Sequence, residues 1–146
     1  MLSNTCRYGI RSVIYIASQP EKNGKTGIKQ ISKDLGLPTP FLAKILQQLT
    51  RQKILTSMKG RHGGFSLHRD PEKISLLDIV TTIDGDGIFT DCIIHNCKCG
   101  EVDHEKRECP VHDDYKGVRK ELLNLFESTT ISDLVKKAGD IRKIFI

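Results

Sequence analysis

Four of the five cysteines in this chain crowd into one stretch. They form Cys92-Ile-Ile-His95-Asn-Cys97-Lys-Cys99 and, after nine intervening residues, Cys109-Pro-Val-His112. Thiolates are soft ligands, and a histidine three residues beyond the last adds an imidazole, so the group reads as a ligand set for a soft metal or an iron–sulfur cluster. Zinc is the alternative, because a tetrahedral zinc accepts the same donors. A cluster-free thiol redox switch is the third reading. Cys109 beside His112 also invites comparison with a catalytic nucleophile and its base. The chain has no Gly-rich phosphate loop, spaced carboxylate pair or cofactor fingerprint to support catalysis, and is read as a non-enzyme.

At 146 residues the chain has the size of one domain, or of a small domain with a dimerising extension. The start, Met1-Leu2-Ser3-Asn4-Thr5-Cys6-Arg7, lacks the charged-then-apolar pattern of a secretory signal, and no run approaches ~18 apolar residues. A cytoplasmic protein without a membrane partner is expected. In a reducing compartment an odd cysteine count favours metal or redox chemistry over a disulfide framework. The charge is divided. Residues 1–73 hold thirteen Lys and Arg against four Asp and Glu, and residues 74–146 hold ten against fourteen. A basic half of this kind suits a polyanion, because each cation set against a phosphate releases counterions.

The apolar periodicity supplies elements to position these groups. Ile10, Val13, Ile14 and Ala17 mark one face of a first helix that Pro20 and Asn23-Gly24 end. Ile28, Ile31 and Leu35 mark a second helix, closed by Gly36-Leu37-Pro38. In a third, Thr39 is placed to cap the start and Pro40 to take the first position. Leu42, Ile45, Leu46 and Leu49 form its apolar stripe, while Lys44, Gln47, Gln48 and Arg51 repeat the spacing on a polar face. Gln pairs with an adenine edge and Lys or Arg with guanine or phosphate, so this turn-linked pair of helices reads as helix-turn-helix.

Two short strands follow, Ile54 to Met58 and Phe65 to Leu67, around Lys59-Gly60-Arg61-His62-Gly63-Gly64. A slender basic tip can enter a minor groove, where Arg is favoured. Farther on, Ser75 and Asp78 have the spacing of a capping box for a helix with Leu76, Ile79, Val80 and Ile83 inward. That helix is expected to end at Asp84-Gly85-Asp86-Gly87. Tyr115, Val118, Leu122 and Leu125 form a heptad-like seam on a long helix from about Val111 to Ser128. Such a seam needs a partner, and a two-fold dimer matches paired half-sites on duplex DNA. Thr130 and Asp133 open a last helix with Leu134, Val135 and Ala138 inward and Gly139 as its stop.

These readings give a mainly α fold: a winged helix-turn-helix with a small β-hairpin wing and a long C-terminal dimerisation helix. Residues 1–84 make the DNA-binding domain, 85–110 the cysteine-rich sensor loop, and 111–146 the dimerisation and C-terminal helices. Arg7-Tyr8-Gly9-Ile10-Arg11, Ile31 to Leu37 leading to Phe41-Leu42, Gly60-Arg61-His62-Gly63-Gly64-Phe65 and Cys109-Pro-Val-His112 occur in that order. With these motifs the sequence resembles, over essentially its whole length, the Rrf-two family of winged-helix transcription regulators, which contains the iron–sulfur cluster regulator and the nitric-oxide-sensing repressor.

The resemblance implies a homodimer on an operator in double-stranded DNA, with Thr39, Phe41, Lys44, Gln48 and Arg51 facing the major groove and Lys59, Arg61 and His62 at the minor groove or backbone. It also implies a two-iron two-sulfur or four-iron four-sulfur cluster whose loss, oxidation or nitrosylation alters DNA binding. Cys92, Cys99 and Cys109 match the family's three ligands, with Cys97 as the alternative to Cys99. His112 matches the histidine after the third cysteine and is the first choice for a fourth ligand. The loop departs from the family pattern by its extra cysteine and by the charged insert Gly100 to Glu108. His95 and His104 are read as exposed loop residues and Cys6 as a small buried side chain.

Overall fold

The computed structural model describes residues 1–19, 25–99 and 109–139. The expected stop at Pro20 and Asn23-Gly24 and the 100–108 insert with His104 lie outside them. Seven α-helices and one hairpin are found among the described residues: α1 (Asn4–Ser18), α2 (Ile28–Leu35), α3 (Thr39–Arg51), β1 (Leu55–Met58), β2 (Gly64–Leu67), α4 (Leu76–Ile83), α5 (Gly87–Thr90), α6 (His112–Ser128) and α7 (Ile131–Ala138). No described helix is long and apolar enough to cross a membrane.

Helix α1 is the hub. The Ser3 hydroxyl caps it by accepting the Cys6 N–H at 3.0 Å. Its Val13, Ile14 and Ile16 join Ile31, Leu42, Ile45, Leu46, Leu49, Ile54, Ile79 and Ile131 in one core. At Gly9 the side-chain-free backbone lets α4 approach: a Cβ there would lie 2.2 Å from Ile83 Cδ1.

Helices α2 and α3 form the expected helix-turn-helix, and both end in the same way. After α2, Gly36 adopts a left-handed φ of 64° while the N–H groups of Gly36 and Leu37 donate to the Lys33 and Ser32 carbonyls. After α3, Lys53 takes that conformation at φ 55°, with the N–H groups of Lys53 and Ile54 on the Thr50 and Leu49 carbonyls. The cap of α3 differs from expectation. Pro38 is the cap residue, Thr39 opens the helix and Pro40 follows it, with no side chain capping the start. Ser32 reaches the Thr39 hydroxyl at 2.9 Å, so Thr39 ties the turn to α2 instead.

The hairpin pairs Leu55 with Leu67, Thr56 with Ser66, Ser57 with Phe65 and Met58 with Gly64. Its base is pinned by Thr26, which exchanges two backbone hydrogen bonds with Phe65, at 2.8 and 2.9 Å. Both expected capping boxes form, Ser75 with Asp78 on α4 and Thr130 with Asp133 on α7.

The C-terminal half departs from expectation in two places. The Asp84 to Gly87 segment does not run straight into a loop, because the short helix α5 follows it and buries Phe89. Phe89 meets Phe126 of α6 edge to face, with ring centroids 5.5 Å apart. The seam on α6 also divides: Leu122 joins Leu123 and Phe126 against Cys6, Val80 and Phe89, whereas Val118 and Leu125 stay 58% and 56% exposed. The Leu122 side follows α4 and α5 because a helical face spans more than one heptad row. Helix α7 then returns to the first core, where Ile131 is fully buried and its N–H donates to the Ile74 carbonyl.

Candidate functional site

Two groups of side chains stand out, a basic surface on α3 and the wing, and a cysteine site between α5 and α6. On α3, burying the Leu42, Ile45, Leu46 and Leu49 stripe turns Lys44, Gln47 and Arg51 outward, and all three reach solvent. Phe41 lies at the rim, 36% exposed, its ring edge-on to Tyr8 at 5.8 Å. Arg11 lies 5.9 Å over that Tyr8 ring. Lys59, Arg61 and His62 are exposed at the wing tip. The tip turns tightly, with the Gly63 N–H on the Gly60 carbonyl, and a Cβ at Gly63 would sit 2.2 Å from the Met58 oxygen.

Gln48 departs from this row. Its Nε2 donates to the Thr82 carbonyl at 2.7 Å, across to the last turn of α4. Gln48 was expected to face the groove, and here its amide turns inward to α4. Terminal helix carbonyls lack intrahelical donors, and a half-buried one offers the amide a better partner than water.

The cysteine site is framed by backbone hydrogen bonds. The Cys99 N–H donates to the Thr90 carbonyl at the end of α5, and the Cys92 N–H to the Cys97 carbonyl at 2.9 Å. On the other side, the Cys109-Pro110-Val111 turn leads into α6, and the His112 N–H returns to the Cys109 carbonyl at 3.0 Å. The result is two pairs. Cys92 Sγ lies 3.6 Å from Cys109 Sγ, and Cys99 Sγ 3.1 Å from His112 Nδ1. Cys97 contributes its carbonyl to the frame. All four loop cysteines are free and half-buried, and Cys6 is free and fully buried.

The electrostatics differ from thiol to thiol. The N–H groups of His95 and Ile94 point at the Cys92 sulfur and hold its thiol below the ordinary range. Cys109 is held above that range; the Val111 N–H favours its thiolate, but desolvation and the neighbouring Cys92 and Cys99 outweigh it. Burial, then Asp84, pushes Cys6 up to about 12, which keeps it a protonated core group.

Among the described residues, no three His, Cys, Asp or Glu side chains gather around a single point. The donors nonetheless match a soft metal in kind: three thiols and an imidazole in two close pairs, with backbone N–H groups aimed at one sulfur. Hydrogen bonds of this kind orient sulfur ligands and tune the metal they hold.

Three features escaped the sequence reading. Arg119 of α6 donates from Nη2 to the Asp91 carbonyl at 3.2 Å and stacks 4.8 Å over Tyr115. Its spacing of four from Tyr115, itself three beyond His112, was a signal for it. The His95 backbone N–H lies 3.3 Å from Cys92 Sγ, and that residue is half-buried where an exposed side chain was expected. No pattern announced the Gln48 to Thr82 hydrogen bond.

Comparison with known proteins places these features in a group. Residues 2–137 match the model of the Rrf2 family, described as iron-dependent transcriptional regulators. A protein of Aquifex aeolicus assigned as an HTH-type transcriptional regulator is 31% identical over 135 residues, covering 92% of this chain and 91% of that one. Protein aau3 of Rhizobium meliloti is 33% identical over 146 residues, covering 96% of this chain and 88% of the relative. Among solved structures, the fold is similar to that of CymR, the global cysteine regulator of B. subtilis, with a TM-score of 0.78, 23% identity, and 94% and 97% of the two chains covered. T. potens IscR gives a TM-score of 0.71 at 23% identity, over 94% of this chain and 88% of that one.

Proposed function

The chain belongs to the Rrf2 family of transcriptional regulators, and we propose that it is a homodimeric operator-binding regulator whose DNA affinity is set by an iron–sulfur cluster held at Cys92, Cys99, Cys109 and His112. The observation that carries this reading is the pairing of Cys92 with Cys109 and of Cys99 with His112, which joins the loop after α5 to the turn that opens α6. The iron dependence in the family's description agrees with it. A bound cluster supplies redox and ligand-exchange chemistry at its irons.

The protein's own part is to hold and to transmit. Backbone N–H groups fix Cys92, α5 and Thr90 fix Cys99, and His112 stands at the start of the helix that carries the dimer seam. Val118 and Leu125 give α6 an apolar outer face suited to a second copy of this chain, since a two-fold contact sets one recognition surface per half-site. A change at the cysteine site bears directly on α6, and through Leu122, Leu123 and Phe126 on α4 and α1. In this scheme residues 1–84 bind DNA, 85–110 sense and 111–146 dimerise. Lys44, Arg51 and the rim residues Thr39 and Phe41 face the major groove, and Lys59, Arg61 and His62 the minor groove or backbone. A difference of ~3 kcal/mol between dimer states would change operator occupancy by about two orders of magnitude.

The test is anaerobic purification with visible absorption and iron, sulfide and zinc content. Brown protein with matched iron and sulfide is expected. Colourless protein with stoichiometric zinc would refute the cluster and leave a zinc-stapled regulator. A second reading, a cluster-free thiol switch, is favoured by one observation: Cys92 and Cys109 lie sulfur to sulfur.

A further inference from the structure

We propose that Arg119 is a positioning residue of the cysteine site, tying the loop that carries Cys92 to α6 and holding a fixed positive charge beside the sulfur ligands. The geometry has three parts. Arg119 Nη2 donates to the carbonyl of Asp91, the residue immediately before Cys92. Its guanidinium lies 4.8 Å over the Tyr115 ring, which removes water from one face of the cation and fixes its direction. Its Nε is buried and has no hydrogen-bond partner among the described residues.

The hydrogen bond to the Asp91 carbonyl, in the peptide that joins Asp91 to Cys92, sets the positive charge of Arg119 against the backbone of that ligand's own loop. His112, Tyr115 and Arg119 share one face of α6. The residue that ends the ligand set and the residue that grips the loop are therefore rigidly connected, and displacing one displaces the other.

The clamp stands on geometry alone, while the charge role rests on the cluster reading above. Full-length wild type, Arg119→Gln and Arg119→Lys separate the two. In metal-free protein, hydrogen exchange of residues 91–99 should be at least roughly tenfold faster in Arg119→Gln, with α1 to α4 unchanged. Lys lacks the planar fork and should not restore protection. In anaerobically loaded protein, Arg119→Gln should lower the reduction potential, a tenfold bias being about 59 mV for a one-electron couple, and Lys should recover it. Unchanged exchange overturns the clamp, and an unchanged potential overturns the charge role. A wild type that carries no cluster refutes the earlier reading and the charge role with it, and exchange still decides the clamp.

Discussion

Gln48 gives the sharpest separation between holding the fold and reading DNA, because it sits within the recognition row but bonds inward. Helix α4 ends at Ile83, so the carbonyls of Val80, Thr81, Thr82 and Ile83 have no donor within the helix. Asp84 N–H serves Val80 and Gln48 Nε2 serves Thr82 at 2.7 Å. Gln48→Ala removes a half-buried hydrogen bond that joins α3 to α4, at a cost of about 1 kcal/mol. For a chain of this length that lowers Tm by about 3–4 °C. Operator affinity, measured by fluorescence anisotropy across a salt series, should change less than about twofold. Lys44→Ala or Arg51→Ala should instead reduce the salt slope by about 0.9 for each phosphate left without its cation. If Gln48→Ala keeps its Tm and loses operator affinity tenfold or more, the inward assignment is wrong.

Three further outcomes are expected. Gly64→Ala would place a Cβ 2.6 Å from the Thr26 carbonyl oxygen, so it should cost about 1–3 kcal/mol and weaken operator binding by detaching the wing base, as read by denaturant melts and anisotropy. Serine at Cys92, Cys99 or Cys109 should abolish cluster loading, while Cys97→Ser should leave the iron-to-protein ratio unchanged; equal loss at Cys97 would move the ligand assignment. The Thr130 hydroxyl, then its N–H, hold Asp133 below the ordinary carboxylate range. The stabilisation it gives α7 is therefore complete above that range and fades as pH falls through the lowered value. Acid-limb amide exchange in α7 should show this loss in wild type and not in Asp133→Asn.

How much was legible in the sequence depended on the distance over which each signal acts. Caps and turns are local, so Ser75 with Asp78, Thr130 with Asp133 and Gly36 were readable from neighbouring residues. The stripes of α1 and α3 were readable because one face of a helix records burial whatever covers it. The seam on α6 was readable as apolar but not as divided, since which residues turn inward depends on α4 and on α5, whose four residues carry too little periodicity to announce a helix. The Gln48 hydrogen bond to Thr82 and the Arg119 hydrogen bond to Asp91 join residues 34 and 28 apart, beyond the reach of any local pattern. The cysteine spacing identified the donors, but their division into Cys92 with Cys109 and Cys99 with His112 depends on the path set by Thr90 and Cys97.

The most direct measurement is operator affinity of a single anaerobic preparation before and after removal of its cluster, on DNA selected by the protein from a random pool. Cluster control of DNA binding predicts that the two dissociation constants differ by about two orders of magnitude at fixed salt, and that Cys92→Ser behaves as the cluster-free form throughout. Equal affinities for the loaded and cluster-free forms would contradict it.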